Sequence, residues 1–419
     1  MSTRPARSPQ QVLLALIVGQ ICLHASMAGL RMAGPLMLLR QGAGPLPAEV
    51  GAGLLLGLFA AAPVLTAMPA GRWADRRGYH KPVRAAIVLV LLGGLCAAAA
   101  TLSSGLARAL LLVLAAVQSG TGANLGLITI QRTAGRLAAA EAPEAGQAGL
   151  IDAQRERQGA ELRKVYSWLG LAPSLSNVIG PLLAGVLIDL QGFGVTFGLM
   201  AALPLAALLS ARLVPHEVPP PRPPEAARRG TLAGVRELLA VPGMRRLLAI
   251  NWFFSTSWDL HSFLVPLLGH ELGLAASVIG GVLGVFSLAV TGVRLLLPLL
   301  AEHLRERQVL AGAMLVVASA FALYPWAGSA GAMMACATLL GLALGSVQPM
   351  IMTSLHHLAP PGRQGEAIAL RSALINLSSA LLPLGFGLLG GTLGAAGLFR
   401  LMALLLLTGL VLPARLGAG

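Results

Sequence analysis

Cysteine is scarce in this chain: Cys22, Cys96 and Cys336 are the only three among 419 residues, and they fall in three separate apolar runs. That argues against a disulfide framework and a zinc set, which need pairs or clusters at suitable spacing. Charge is scarce too, at 11% of residues, with 16 acidic side chains against 30 basic ones and only two lysines. So few charges cannot cover the core of a soluble protein this long. The motifs of an embedded enzyme are also missing. There is no His-Glu-x-x-His, no Gly-x-Ser-x-Gly and no Walker loop; His270-Glu271 lacks a second histidine, and Gly120-x-Gly122 closes at Gly126, one place late for a dinucleotide loop. No catalytic residue, metal or cofactor is expected. Without a nucleotide site, work must draw on an ion or solute gradient. A channel would need a repeated selectivity loop or a charge ring, and neither occurs.

Hydrophobic residues are abundant, at 56% of the chain, with a mean hydropathy of +0.77. Twelve apolar runs reach the length a helix needs to cross about 30 Å of hydrocarbon. They lie near 12–36, 51–70, 85–104, 108–130, 165–188, 193–213, 247–268, 277–299, 308–327, 330–354, 366–389 and 395–413. The expected class is an all-α integral membrane protein with twelve transmembrane helices. The net charge of +14 would suggest nucleic acid in a soluble protein, but here the basic residues gather in alternate loops, with Arg40 and Arg108 on the other side. That is a topology signal, so no nucleic-acid partner is expected, and both termini are placed in the cytoplasm. Richness in alanine, leucine and arginine with little lysine suggests a GC-rich bacterial genome, hence the inner membrane; a monomer is the expected state.

The chain repeats itself. Gly53, Leu56, Gly57, Phe59 and Asp75 recur as Gly280, Leu283, Gly284, Phe286 and Glu302, all at an offset of 227. Leu175-Ser176-Asn177 through Pro181 to Gly185 recurs as Leu377-Ser378-Ser379 through Pro383 to Gly387, at 202. Two homologous halves are the expected build of a secondary transporter. Residues 1–213 and 247–419 are read as the two six-helix bundles, and 214–246, with Pro219-Pro220-Pro221-Arg222-Pro223-Pro224, as a cytoplasmic linker. Residues 131–164, rich in Ala, Glu, Gln and Arg, read as an exposed cytoplasmic insertion. Gly53-x-x-x-Gly57 and Gly280-x-x-x-Gly284 are expected to let helices approach closely.

The loop Gly71-Arg72-Trp73-Ala74-Asp75-Arg76-Arg77-Gly78 between the second and third runs resembles the signature loop of the major facilitator superfamily. Gly71, Ala74, Asp75, Arg76 and Gly78 match; Trp73, Tyr79 and His80 depart from the pattern, and Lys81 comes one place late. The resemblance covers nearly the whole chain and implies two pseudo-symmetric six-helix bundles. It also implies a cytoplasmic latch in which Asp75 faces a helix N-terminus of the other half and stabilises the outward-facing state. Pro298-Leu-Leu-Ala-Glu302-His303-Leu304-Arg305 is its worn copy, and nearby Arg294 is read as a latch or snorkelling residue. The run Asn177-Val-Ile-Gly180-Pro181-Leu-Leu-Ala184-Gly185 looks like the Gly-Pro motif of proton-coupled drug exporters. Gly180, Pro181 and Gly185 are read as a helix-bend motif. In the fourth run Ala116 stands where those exporters carry an arginine.

Counting inward, His24, Gln118, Asn177, Asp259 and Asn376 all fall near the midpoints of their runs, where a transporter holds its cargo. An aspartate there costs roughly 2.5–3.5 kcal/mol on insertion scales, so Asp259 is the leading coupling or cation-binding residue. A salt bridge to Arg31 or a packed hydrogen bond is its structural alternative. His24 either shares proton traffic or is simply packed, and Arg31 either binds an anionic group or snorkels. Trp252 and Trp258 offer aromatic faces to an organic cargo or pack in the core. The reading is a transporter of a small organic solute, with protons as second partner and the bilayer as solvent. The fifth-run motif favours export, and uptake stays open.

Overall fold

A computed structural model of the protein describes residues 8–41, 48–140, 148–217, 231–274, 276–301 and 304–414, and every regular element among them is helical. The first half contains α1 (Pro9–Gln41), α2 (Ala48–Arg77), α3 (His80–Thr101), α4 (Gly105–Ala140) and α5 (Ala148–Ala211). A short helix, α6 (Thr231–Ala240), leads to α7 (Met244–Glu271), α8 (Ala276–Leu300), α9 (Glu306–Leu323), α10 (Ala330–Leu358), α11 (Gln364–Gly409) and α12 (Val411–Ala414). Among the described residues eight stretches are long and apolar enough to cross a bilayer by length and composition, and one, Glu156–Ala211, has the 56 residues needed for two passes.

Ten helices among the described residues are at least 18 residues long, and glycines divide two of them to give twelve. Gly192 inside α5 has φ 80° and ψ −179°; Gly394 inside α11 has φ 64° and ψ 175°. Only glycine adopts such dihedrals without strain, so each long helix breaks into two arms there. The two glycines lie 202 residues apart, the offset already seen between Asn177 and Ser379. The duplication is therefore written in the backbone as well as in the sequence.

The chain divides into two compact units. One is Met1–Leu137 with Leu171–Thr231 and Pro361–Asn376; the other is Ala138–Gly170 with Leu232–Pro360 and Leu377–Gly419. The first has a core of Leu30, Met37, Leu55, Phe59, Leu112 and Phe197. In the second, Tyr324 stacks on Phe399 with ring centroids 4.5 Å apart, and the buried His261 sets its Nε2 2.8 Å from the Tyr324 hydroxyl. Leucines such as Leu65, Leu102 and Leu288 point outward, as lipid-facing side chains do.

Close helix approach uses other glycines than the spacing suggested. An added Cβ at Gly57 or Gly284 would meet nothing within 4 Å. The tight contacts fall instead on α4 and α10, where a Cβ at Gly120 would lie 2.8 Å from the Phe59 carbonyl oxygen and one at Gly341 2.5 Å from that of Phe286. These are equivalent contacts in the two halves, and they bring backbones together where lipid gives no hydrophobic drive. Gly180 works likewise: its Cβ would sit 2.3 Å from the Ala25 carbonyl oxygen. Pro181 lies within α5, whose dihedrals leave the helical range at Gly192, between the fifth and sixth spans. Residues 131–164 also differ from the exposed insertion read from composition. α4 runs on to Ala140 with Gln131, Arg132 and Thr133 buried, and Arg163 of α5 is buried too. These polar residues are internal because each arginine meets specific acceptors there.

Candidate functional site

The signature loop is a buried electrostatic latch within the first unit. α2 ends at Arg77, Gly78 turns the chain with φ 67°, and α3 starts at His80. Asp75, 4% exposed, lies in the last turn of α2. Its Oδ1 accepts from the Gly365 amide at 2.9 Å and its Oδ2 from the Glu366 amide at 3.0 Å. Those are orphan N–H groups of the first turn of α11, so the carboxylate caps a distant helix and faces the positive end of its dipole. Arg132 of α4 is wholly buried and donates to Asp75 Oδ1 through Nε at 3.1 Å. The same guanidinium pairs with Glu217, which Arg136 also reaches at 3.3 Å. Glu366 in turn takes Arg363 at 2.6 Å and Arg72 at 3.7 Å.

Gly71 is the steric half of this latch. A Cβ on it would lie 2.3 Å from the Gly365 carbonyl oxygen and 2.6 Å from the Ala369 Cβ; one on Gly365 would lie 2.6 Å from the Gly71 carbonyl oxygen. Both positions must be glycine for Asp75 to reach the amides. Arg76 is on the exposed side of the loop.

The worn copy makes a clasp of its own within the second unit, with the charges exchanged. Glu302 lies outside the described residues. Next to it, the Ala301 carbonyl at the end of α8 accepts from Arg163 Nε of α5 at 2.8 Å, and Arg163 Nη1 pairs with Glu306. Arg294, 5% exposed, donates to the Gly170 carbonyl at 2.6 Å and to Gln348 Oε1 at 2.9 Å, while Ser167 Oγ donates to the Arg294 carbonyl at 2.7 Å. Arg294 thus ties α8 to α5 and α10 rather than snorkelling. Arg163 stands 202 residues before Gly365, so equivalent helix ends are gripped in both halves.

The mid-span polar residues sort into pairs. In the first unit His24 of α1 has the Asn177 side chain of α5 as hydrogen-bond partner and lies in the field of Arg31, two turns on. In the second, Ser379 Oγ of α11 donates to Asp259 Oδ2 of α7 at 2.9 Å. Asn177 and Ser379 are equivalent by the 202-residue offset. Each half therefore sets a titratable side chain of its first helix against a polar one of its fifth. Gln118 Oε1 has Cys96 Sγ at 3.9 Å. Asn376 turns to a separate chain: its Nδ2 donates to the Ser372 carbonyl at 2.9 Å, and Ser372 Oγ donates to Asn124 Oδ1 at 2.6 Å. Trp258 packs its ring against Phe286 at 4.8 Å, and Trp252 against Phe253 at 5.5 Å, both edge to face.

The family model described as Major Facilitator Superfamily matches residues 16–256 and again 247–417. The chain belongs to the Major Facilitator Superfamily. Membership makes it a membrane transporter rather than an enzyme, and the two matches follow the duplication. The superfamily fold recurs in two solved structures. A human organic anion transporter, MFSD10 (TETRAN), superposes with a TM-score of 0.70 at 16% identity, covering 97% of this chain and 100% of that one. A bacterial homologue of the iron transporter ferroportin in an outward-facing state gives 0.73 at 17% identity, covering 99% and 100%. The enterobactin exporter EntS of Shigella flexneri is 38% identical over 80 residues; that stretch is 19% of this chain and spans 20% of the exporter's length.

For this superfamily member, sequence reasoning picked out Asp75 but missed Arg132, Glu217, Gly365 and Glu366, and picked out Asp259 but missed Ser379. A signal existed for Ser379, which aligns with Asn177 in the internal repeat. None existed for Arg132, whose neighbours read as a surface helix.

Proposed function

We propose that this transporter exports a small organic solute across the bacterial inner membrane by proton-coupled alternating access. It would act as a monomer, with both termini in the cytoplasm. The observation that carries the reading is Asp259, a half-buried carboxyl within an apolar helix, held by the Ser379 hydroxyl across to α11. A carboxylate at such depth is retained where it faces a cavity or a partner, and it exchanges its charge for a proton when its hydration changes. The Ser379 hydroxyl donates to the charged form, so protonation weakens a contact between α7 and α11. Proton uptake is thereby linked to the packing of two helices, as a coupled carrier requires.

Export is supported by the Gly180-Pro181 segment and by the local likeness to an exporter. The organic anion transporter named among the similar structures fits an organic cargo, and His24, Asn177 and Arg31 supply donors for one. The Asp75 latch and the Arg163 and Arg294 clasp would part as the cytoplasmic side opens and re-form as it shuts. A proton loading Asp259 from outside would be released inward as cargo moves the other way.

Everted vesicles energised by respiration test this, with a panel of organic cations, anions and neutral solutes added to wild type and Asp259→Asn. Solute-induced proton release in wild type, lost in the variant, is expected. Unchanged coupling in the variant would overturn the role of Asp259. Solute movement only in the opposite direction would make the protein an uptake permease.

A further inference from the structure

The segment after α5 does not leave the first unit at once. Glu217 pairs with Arg132 and Arg136 of α4, and its side chain packs on the turn glycine of the latch: a Cβ on Gly78 would lie 3.2 Å from the Glu217 Cβ. One residue earlier, His216 lies flat on His80, the first residue of α3, with ring centroids 4.0 Å apart and planes 23° from parallel. His216 is exposed and His80 half-buried, so protons from the cytoplasmic solution reach the pair. His80 thus stands at the end of the signature loop, and His216 where the linker begins.

We propose that the stacked His80 and His216 form a proton-operated release for the linker's grip on the latch. With both imidazoles neutral, the rings stack and hold His216-Glu217 against the loop. Glu217 then completes the charge set of Asp75, Arg132 and Arg136. One added proton is tolerated, since an imidazolium can lie over a neutral ring and the Ala211 carbonyl accepts from His80. A second proton sets two cations face to face. The groups around them favour parting: Arg84 of α3 adds a third positive charge, Tyr79 presents a neutral ring edge 5.3 Å from His80, and the nearby Glu217 already answers two guanidinium groups. The rings then separate, His216 swings into solvent, and the adjacent Glu217 is drawn off Arg132. Acidification on the cytoplasmic side therefore loosens the latch, and neutral or alkaline conditions hold it.

The test reads distance and needs no cargo, so it stands apart from the transport reading. Nitroxide labels are placed at Lys81→Cys and Pro215→Cys in the full chain, with Cys22, Cys96 and Cys336 changed to serine. Dipolar broadening is then followed from about pH 7.5 to about pH 4.5, well below the ordinary imidazole pKa of about 6.5, because the second proton must enter a pair that already carries one. Strong broadening at the upper pH, falling at least about twofold at the lower, is expected with both histidines present. His216→Phe and His80→Phe keep a ring to stack and remove one titrating group, so each holds its broadening across the range. Broadening that is independent of pH in the labelled parent, or that falls equally in the phenylalanine variants, overturns the proposal.

Discussion

Gly71→Ala tests the latch where its geometry is tightest. The new Cβ would lie 2.3 Å from the Gly365 carbonyl oxygen and 2.6 Å from the Ala369 Cβ, against an ordinary contact of at least 3.4 Å. Its obstacles are a backbone atom and a β-carbon, neither of which can rotate away, so α2 and the start of α11 must separate by about 1 Å. The two amide bonds to Asp75, now 2.9 and 3.0 Å long, would then exceed hydrogen-bond range. Hydrogen bonds to a charged acceptor contribute roughly 1.5–3 kcal/mol each. If water recovers half of that, about 1.5–3 kcal/mol is lost, equivalent to a roughly 12- to 140-fold shift in opening. Hydrogen–deuterium exchange in the purified protein reads this directly as faster exchange of the Gly365 and Glu366 amides. Gly57→Ala is the control, since its Cβ meets nothing within 4 Å. Protection of those two amides within about threefold of wild type in Gly71→Ala would refute the close-approach argument.

Arg132→Met leaves Asp75 without its buried cation, and one broken buried ion pair costs about 3–5 kcal/mol; a large fall in thermal midpoint is expected, partly restored in the double variant with Asp75→Asn. Arg294→Lys cannot span the Gly170 carbonyl and Gln348 with one fork, so a loss of about 1–3 kcal/mol is expected by denaturant titration, with no rescue from the retained charge. Gly180→Ala presses a Cβ against the Ala25 carbonyl oxygen and is expected to cost about 1–3 kcal/mol, whereas Gly198→Ala, with open space around it, stays near neutral in the same thermal assay.

Much of the architecture was legible because lipid imposes simple rules. Apolar length gives the spans, and the repeat gives the paired halves; Gly192 and Gly394 fall between the runs read for the fifth and sixth and the eleventh and twelfth helices. Asp75 was legible because a family pattern marks it. Its partners were not, since an N–H of Gly365 carries no side-chain signature and the arginine that meets the carboxylate lies 57 residues away on another helix. Arg132 and Arg163 sit among alanines, glutamates and glutamines that look solvated in one dimension. Their burial follows from three-dimensional pairing, which composition does not encode. The glycine spacing misled for a related reason: a motif states that two small residues share a face without saying whether another helix comes to it. Gly57 has an open face, and Gly120 receives Phe59.

The two copies of the signature loop differ in charge yet obey one electrostatic rule. A helix N-terminus presents unsatisfied N–H groups and a partial positive charge, and a C-terminus presents carbonyls and a partial negative one. At the first copy of the loop the end that is met is the N-terminus of α11, and an acid, Asp75, meets it. In the second half the end that is met belongs to α8, where the Ala301 carbonyl needs a donor, and a base, Arg163, supplies it. Each charge is the one its helix end favours. The second loop is therefore a duplicate whose partners have traded roles: the gripping side chain moved from the loop to the facing helix. An alignment scores this as decay, because it compares Asp75 with Glu302 and finds the pattern around Glu302 lost. The electrostatics instead conserves a satisfied helix end, which either side of the contact can provide.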